Sequence, residues 1–205
     1  MNEPITKRDP DQTRTRILDA ALNIFANKGY YNTKMDEIVD ESQTSKGSIY
    51  FHFPNKERLF LALVDQFADL LERRVTEAIQ QEEVGINRVR VALETCLTTF
   101  GKYRRPAKLL LVQAVGLGTT FENKRNEVND RFADLIATYL QEAIDVGDIP
   151  PTDIEVVSYA WMGAIYGVII RWVYTSEPEP QRIMESLLPV LLRSVGFETK
   201  TEIGN

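Results

Sequence analysis

The chain has 205 residues, enough for one sizeable domain or for a small domain beside a larger one. Its apolar and charged shares, 43% and 26%, are those of a folded globular protein and exclude a disordered one. A single cysteine, Cys96, excludes an internal disulfide framework, and a net charge of −6 argues mildly against a nucleic-acid partner.

The distribution of charge changes that view. Residues 1–58 hold nine Lys/Arg and nine Asp/Glu, whereas the remainder holds fifteen and twenty-one, so all the net acidity lies outside the first quarter or so of the chain. A neutral head can still present a basic face, and docking responds to the local field. The N-terminus, "MNEPITKRDPDQTRTR", lacks the apolar stretch of a secretory signal. With the lone cysteine, this fits a cytoplasmic setting.

The pattern is helical almost throughout and strand-like alternation is nowhere sustained. The expected fold class is all-α, with about nine helices: an N-terminal three-helix helix-turn-helix head and a larger C-terminal helical bundle. In the first helix Ile17, Ala21, Ile24 and Phe25 recur at helical spacing, and Gly29 stops it. Thr33 is the expected N-cap of the second, with Asp36 and Glu37 in its first turn. Ser42-Gln43-Thr44 makes a break. "SKGSIYF" is long enough for about two turns, and Pro54 ends it.

Asn55 caps a long helix running from Lys56 toward Gln81, with an apolar stripe of Leu59, Phe60, Leu63, Phe67, Leu70, Leu71, Val75 and Ile79. Further helices are expected near Ile86–Lys102, Pro106–Val115, Phe121–Val146, Asp153–Tyr174 and Pro180–Val195. The end, "FETKTEIGN", reads as a frayed tail. The most apolar run, Val156 to Ile170, falls short of the roughly 20 residues of a bilayer span and is bracketed by Glu155 and Arg171, so no membrane partner is expected. Two domains follow: residues 1–54 as a short-helix head, and 55–205 as a long-helix body.

The stretch "TSKGSIYFHFPNKERLF", Thr44 to Phe60, carries the chemistry. Ile49 and Phe53, spaced i, i+4, face inward to meet Ile38 and Phe25. Lys46, Gly47, Ser48, Tyr50, Phe51 and His52 are left pointing outward. Lys46 can donate to guanine or phosphate, and Ser48 can serve a base edge. Gly47 lets the helix sit close to the groove, while Tyr50 and His52 put polar tips on apolar bodies. Lys56 adds charge to a helix N-terminus, a ready phosphate site, and Thr33 with Lys34 repeats that arrangement. Thr44, at the end of the break, joins the set. Lys7, Arg8, Arg14 and Arg16 form a basic stretch that reads either as an arm along the DNA backbone or as a solvated tail.

Residues 15–60, "TRILDAALNIFANKGYYNTKMDEIVDESQTSKGSIYFHFPNKERLF", resemble the DNA-binding head of the TetR family of bacterial transcriptional regulators. The matching elements are Ile-Leu-x-Ala-Ala-x-x-x-Phe, Gly-Tyr-x-x-Thr, Ser-Lys-Gly-Ser-Ile-Tyr-x-His-Phe and Asn-Lys-Glu-x-Leu-Phe. The resemblance implies a homodimeric repressor that places each third helix in a major groove of a palindromic double-stranded operator and is released by a small-molecule effector. It implies DNA contacts from Thr33 and Lys34 at the start of the second helix, base contacts from Lys46, Gly47 and Ser48, and phosphate contacts from Tyr50, His52 and Lys56. Two positions depart from the family: Ser42-Gln43 stands where Ala-Gly is usual in the turn, and Phe51 where hydrogen-bonding aromatics are common.

In the body, Ala160, Gly163, Ala164 and Gly167 lie along one side of a helix. With "RIMESLLPVLLRSV" that helix is the candidate homodimer seam, two helices from each subunit, against an alternative of packing within one chain. Candidate lining of an effector pocket is Phe67, Cys96, Phe100, Leu110, Gln113, Phe121, Phe132, Ile136, Tyr139, Trp161, Tyr166 and Arg171. A mostly apolar set with few polar groups suits a lipophilic effector, an acyl chain with its head near Arg171 being one form; Arg171 could instead complement its helix C-terminus. Cys96 reads as core. No phosphate loop, metal-ligand cluster or catalytic constellation is legible, so no enzyme, cofactor or metal is expected. The competing reading, a helical protein-interaction adaptor, parts from the regulator in a gel shift against the promoter DNA beside its own gene.

Overall fold

The computed structural model describes residues 10–113 and 115–197, without the side chain of Leu110. Lys7, Arg8 and positions 198–205 of the C-terminal tail lie outside that range. Nine α-helices account for most of the described residues: α1 Pro10–Asn32, α2 Met35–Ser42, α3 Lys46–His52, α4 Lys56–Ile79, α5 Ile86–Lys102, α6 Arg104–Lys108, α7 Thr119–Asp145, α8 Ile154–Thr175 and α9 Pro180–Ser194. A π-helical turn, Leu109–Gln113, continues α6. The fold is all-α, and its compact units, Met1–Phe67 and Ala68–Asn205, divide inside α4.

The first unit closes around a small apolar core. Ile17, Leu18, Ala21 and Phe25 of α1, Ile38 of α2, Ile49 of α3 and Leu59 and Phe60 of α4 are all at most 1% exposed. Each of the larger side chains, Ala21 aside, stabilises the fold by about 1.5–3 kcal/mol on burial. Phe60 meets Phe25 edge-on at 5.2 Å and Tyr30 at 5.3 Å. The helical trace of α1 is interrupted at Gly29, whose φ of 78° and ψ of 168° end the regular ladder where the sequence places a stop.

That interruption also decides how α2 begins. Thr33 is not its cap: it is buried, and its hydroxyl donates back to the Gly29 carbonyl at 2.7 Å. Lys34 takes the N-cap position with extended backbone, and its N–H donates to Glu37 Oε2 at 3.1 Å. The turn after α2 places Gln43 in the left-handed region, φ 52°. Arg16 Nη2 donates to the carbonyls of both Ser42 and Gln43 at 2.7 Å, satisfying the open end of α2. Arg16 is therefore a structural clamp rather than part of a solvated basic stretch.

In the second unit α7 packs on α8, and α5 on α9. Trp161 of α8 is buried and its Nε1 donates to Ser194 Oγ of α9 at 3.0 Å. Arg131 of α7 pairs with Asp69 of α4 at 2.8 Å and also with Glu72. α6 begins at Arg104, before the expected Pro106, because a proline in the first turn displaces no helical N–H partner. Arg104 Nη2 donates to the Val173 carbonyl at 2.8 Å and its guanidinium lies over Trp172, so Arg104 complements the C-terminus of α8. Arg171, considered for that role, is exposed. α8 spans 22 residues against the 15-residue run read from sequence; by length and composition it could cross a bilayer, and a third of its most apolar window is buried.

Candidate functional site

α3 is short, and its two ends are fixed by its own sequence. Ser45 Oγ accepts from the Ser48 N–H at 3.1 Å at the N-cap, and the Phe53 N–H donates to the Ile49 carbonyl at 2.8 Å at the other end. Ile49 and Phe53 turn inward and are buried. The opposite flank stands open: Lys46 and Gly47 are exposed, Tyr50 is 40% exposed and Phe51 81%. A Cβ built at Gly47 would meet nothing within 4 Å, so none of the described residues covers that position. Exposing an aromatic as large as Phe51 so fully forfeits its burial. His52 is half-buried and edge-on to Phe51, ring centres 5.2 Å apart.

The other positions expected at this face divide. Lys34 is exposed, while Thr44 is half-buried with its hydroxyl 2.8 Å from that of Ser42. Ser48 is half-buried. Lys46 Nζ lies 2.8 Å from Asp36 Oδ1 of α2, and this hydrogen bond raises the lysine pKa. Glu37, its hydrogen bond from Lys28 foremost, is held below the usual glutamate range. Thr33 is buried and cannot offer its side chain to a ligand. Lys56 is not a free phosphate donor either: its ammonium donates to the carbonyls of Tyr30 at 2.8 Å and Thr33 at 2.9 Å. Burial lowers its pKa. No sequence signal marked Arg16, Asp36 or Tyr30 as the groups that fix this face.

A second feature lies wholly within residues 68–205. A narrow cavity of about 80 Å³ opens among α4, α5, the π-helical turn, α7 and α8. It brings together seven of the expected lining residues: Cys96, Phe100, Phe132, Ile136, Tyr139, Trp161 and Tyr166. Burial pushes the Cys96 thiol up to about 12, which leaves it an inert wall. Phe67 belongs to the other compact unit, Phe121 is buried at the start of α7 away from the cavity, and Arg171 is exposed on α8. Gln113 lies in the π-helical turn outside the lining, its Oε1 buried without a hydrogen-bond partner. The side chain of Leu110 is outside the described residues.

The cavity's cation is Arg125, which the sequence reading missed. It continues, one turn earlier, the stripe Val128, Phe132, Ile136 and Tyr139 that lines the cavity along α7, so its placement was available from helical spacing. Tyr166 donates to the Leu111 carbonyl at 2.8 Å and lines the cavity beside Arg125. Burial, ahead of the charge of Arg125, governs the raised pKa of this tyrosine. Among the described residues no cluster of three or more His, Cys, Asp or Glu could hold a metal.

Comparison with known proteins agrees with this geometry. The pattern of the "Bacterial regulatory proteins, tetR family" matches residues 17–63. The HTH-type transcriptional regulator SrpR of Pseudomonas putida is 25% identical over 187 residues, covering 89% of this chain and 85% of that protein. A TetR-family transcriptional regulator of Syntrophomonas wolfei superposes with a TM-score of 0.83 at 18% identity, over 95% of this chain and all of that one. The transcriptional regulator FadR of Bacillus subtilis, crystallised in complex with stearoyl-CoA, superposes with a TM-score of 0.78 at 20% identity, over 86% and 96% of the two chains. The open helix-turn-helix flank and these likenesses converge: residues 17–63 carry the helix-turn-helix pattern of the tetR family, and the chain has the all-α fold seen in transcriptional regulators of that family.

Proposed function

We propose that the chain acts in the cytoplasm as a dimeric repressor that binds a palindromic operator and is released by a lipophilic effector. The observation that carries the DNA-contact reading is the open flank of α3, where Lys46, Gly47, Tyr50 and Phe51 are exposed on a helix anchored by buried Ile49. On this reading Lys46, Gly47 and Ser48 face base edges. Tyr50, His52 and Lys34 meet phosphates, and Phe51 stacks or meets a thymine methyl. Thr33 and Lys56 hold the frame from inside, and Thr44 serves the turn.

Residues 68–205 hold the effector and the dimer seam. The cavity is mostly apolar, and its narrowness means that a molecule larger than a few waters must part its walls. That is a route from binding to movement. The stearoyl-CoA held by the FadR structure favours an effector with a hydrocarbon chain. For the seam, Val156, Tyr159, Ala160, Gly163 and Gly167 of α8 and Val190 of α9 are exposed in the single chain, an apolar face that a second copy would cover.

The test is selection of bound duplexes from random DNA, followed by fluorescence anisotropy on the selected site. The expected result is a two-fold symmetric site bound by a dimer, with affinity falling steeply as salt rises. Selection of no sequence, or of an asymmetric site bound by one chain, refutes the operator reading. Transcription from a promoter carrying the site separates repression from activation.

A further inference from the structure

The lining of the cavity is elongated and uneven in polarity. It runs along α7 from Arg125 to Tyr139, about 21 Å of helix at 1.5 Å per residue. Between these positions the α7 wall is chiefly apolar, with Val128, Phe132, Leu135 and Ile136. Polar groups gather at the Arg125 end, where Asn129 lies one helical turn away and Tyr166 lines the same space.

Arg125 is half-buried, and among the described residues no carboxylate pairs with it. Several other arginines of the body have partners: Arg88 pairs with Glu142 at 3.0 Å, Arg131 with Asp69 at 2.8 Å, Arg104 donates to the Val173 carbonyl at 2.8 Å, and Arg74, away from the cavity, donates to the Tyr103 hydroxyl at 3.0 Å. A guanidinium at the edge of an apolar space retains only part of its hydration. Its planar donors fit a carboxylate or phosphate, and a charge-assisted pair of bonds there is stronger than one to a neutral group.

The geometry points to a linear amphiphile as the effector: a hydrocarbon chain laid along α7, with an oxyanion near its head on Arg125. This rests on the effector reading of the cavity given above. Because the walls must part to admit it, an unbranched chain displaces them less than a broad ring system, and Arg125, the one cation among the described lining residues, selects an anionic head over an alcohol or an amine. The oxyanion can be the carboxylate of a free acid or a phosphate carried beyond an acyl thioester. Tyr166 lines the same space and donates to the Leu111 carbonyl, so a bound head at Arg125 would press on the tie between α8 and the π-helical turn.

Calorimetric titration of the full-length protein with decanoate, decanoyl-CoA, decanol and decylamine tests this, in the native chain and in Arg125→Gln. At least one of the two anionic ligands is expected to bind ten-fold or more tightly than decanol and decylamine. That advantage is expected to vanish in Arg125→Gln while decanol binds both proteins equally, which also shows that the variant keeps its cavity. The tighter of decanoate and decanoyl-CoA identifies the source of the oxyanion. If decanol matches both anions, or the anions keep their advantage in Arg125→Gln, the head-group assignment is overturned and the cavity reading stands. If none of the four binds, both are overturned.

Discussion

The ammonium of Lys56 donates to the Tyr30 carbonyl at 2.8 Å and sits 4.4 Å from the centre of the same residue's ring. With its second bond, to the Thr33 carbonyl at 2.9 Å, it ties the start of α4 to the end of α1 and the approach to α2. Two charge-assisted bonds and a cation–π contact make this lysine a fastening inside the head.

Lys56→Met is therefore expected to destabilise the head by about 2 kcal/mol, the loss of charge-assisted bonds to two carbonyls. Chemical unfolding followed by circular dichroism measures it. The salt dependence of DNA binding separates the fastening from a phosphate contact. Well below the unfolding transition, the slope of log affinity against log salt should match that of the native chain. A slope shallower by about one would restore Lys56 to the phosphate-contacting set.

Asp36 faces the proposed reading surface with the wrong sign for DNA. Its carboxylate holds Lys46 Nζ at 2.8 Å, with both side chains well exposed, so the pair adds little to folding. Asp36→Asn should leave thermal stability nearly unchanged, because surface substitutions of this kind stay within about 0.5 kcal/mol. It should strengthen binding to operator and to random duplex alike, by several-fold at low salt, since it removes repulsion from phosphates and frees a lysine. Anisotropy with both duplexes reads the effect; unchanged or weaker binding would show that Asp36 serves the complex by orienting Lys46.

The helix pattern of this chain was legible because its helices are amphipathic and their breaks are marked by Gly29, Pro54 and Gly85. The inward pair Ile49 and Phe53 was legible for the same reason: i, i+4 spacing on a short helix leaves few ways to bury both. What local spacing could not reveal were partners far apart in sequence. Thr33 reads as an N-cap until the positive φ of Gly29 brings its hydroxyl back onto α1. Lys56 and Arg16 read as surface cations because their carbonyl partners lie 23 to 27 residues away. In the body, Arg171 drew attention by interrupting an apolar run, yet its place on α8 faces outward. Arg125 sits quietly in a charged stretch and completes the cavity.

The turn between α2 and α3 carries a measurable strain. Gln43 occupies the left-handed region at φ 52°, which disfavours a residue with a Cβ by about 1 kcal/mol. Gln43→Gly should raise stability by up to about 1 kcal/mol, less the entropy a glycine adds to the unfolded chain. Arg16→Met should do the reverse, by about 1–2 kcal/mol, because it strips a charged donor from the Ser42 and Gln43 carbonyls. The two residues meet at one carbonyl, so the double variant is expected to depart from additivity by about 0.5 kcal/mol or more. Denaturant midpoints of the four proteins settle this; destabilisation by Gln43→Gly would mean that the glutamine side chain makes a compensating interaction.

Gly163 and Gly167 lie inside α8, where each costs about 1 kcal/mol relative to alanine. In the single chain a Cβ at either position would meet nothing within 4 Å, so the chain's own packing does not require glycine there. A second α8 crossing at this point would require it, because close approach of two helices leaves no room for a side chain. Gly163→Leu should consequently leave the isolated chain folded, or slightly more helical, while weakening self-association by at least ten-fold in sedimentation equilibrium. Operator affinity should then become steeply dependent on protein concentration, since half-sites are held together only through the seam. A Gly163→Leu protein that remains dimeric at nanomolar concentration would remove α8 from the interface and leave its glycines without a structural reason.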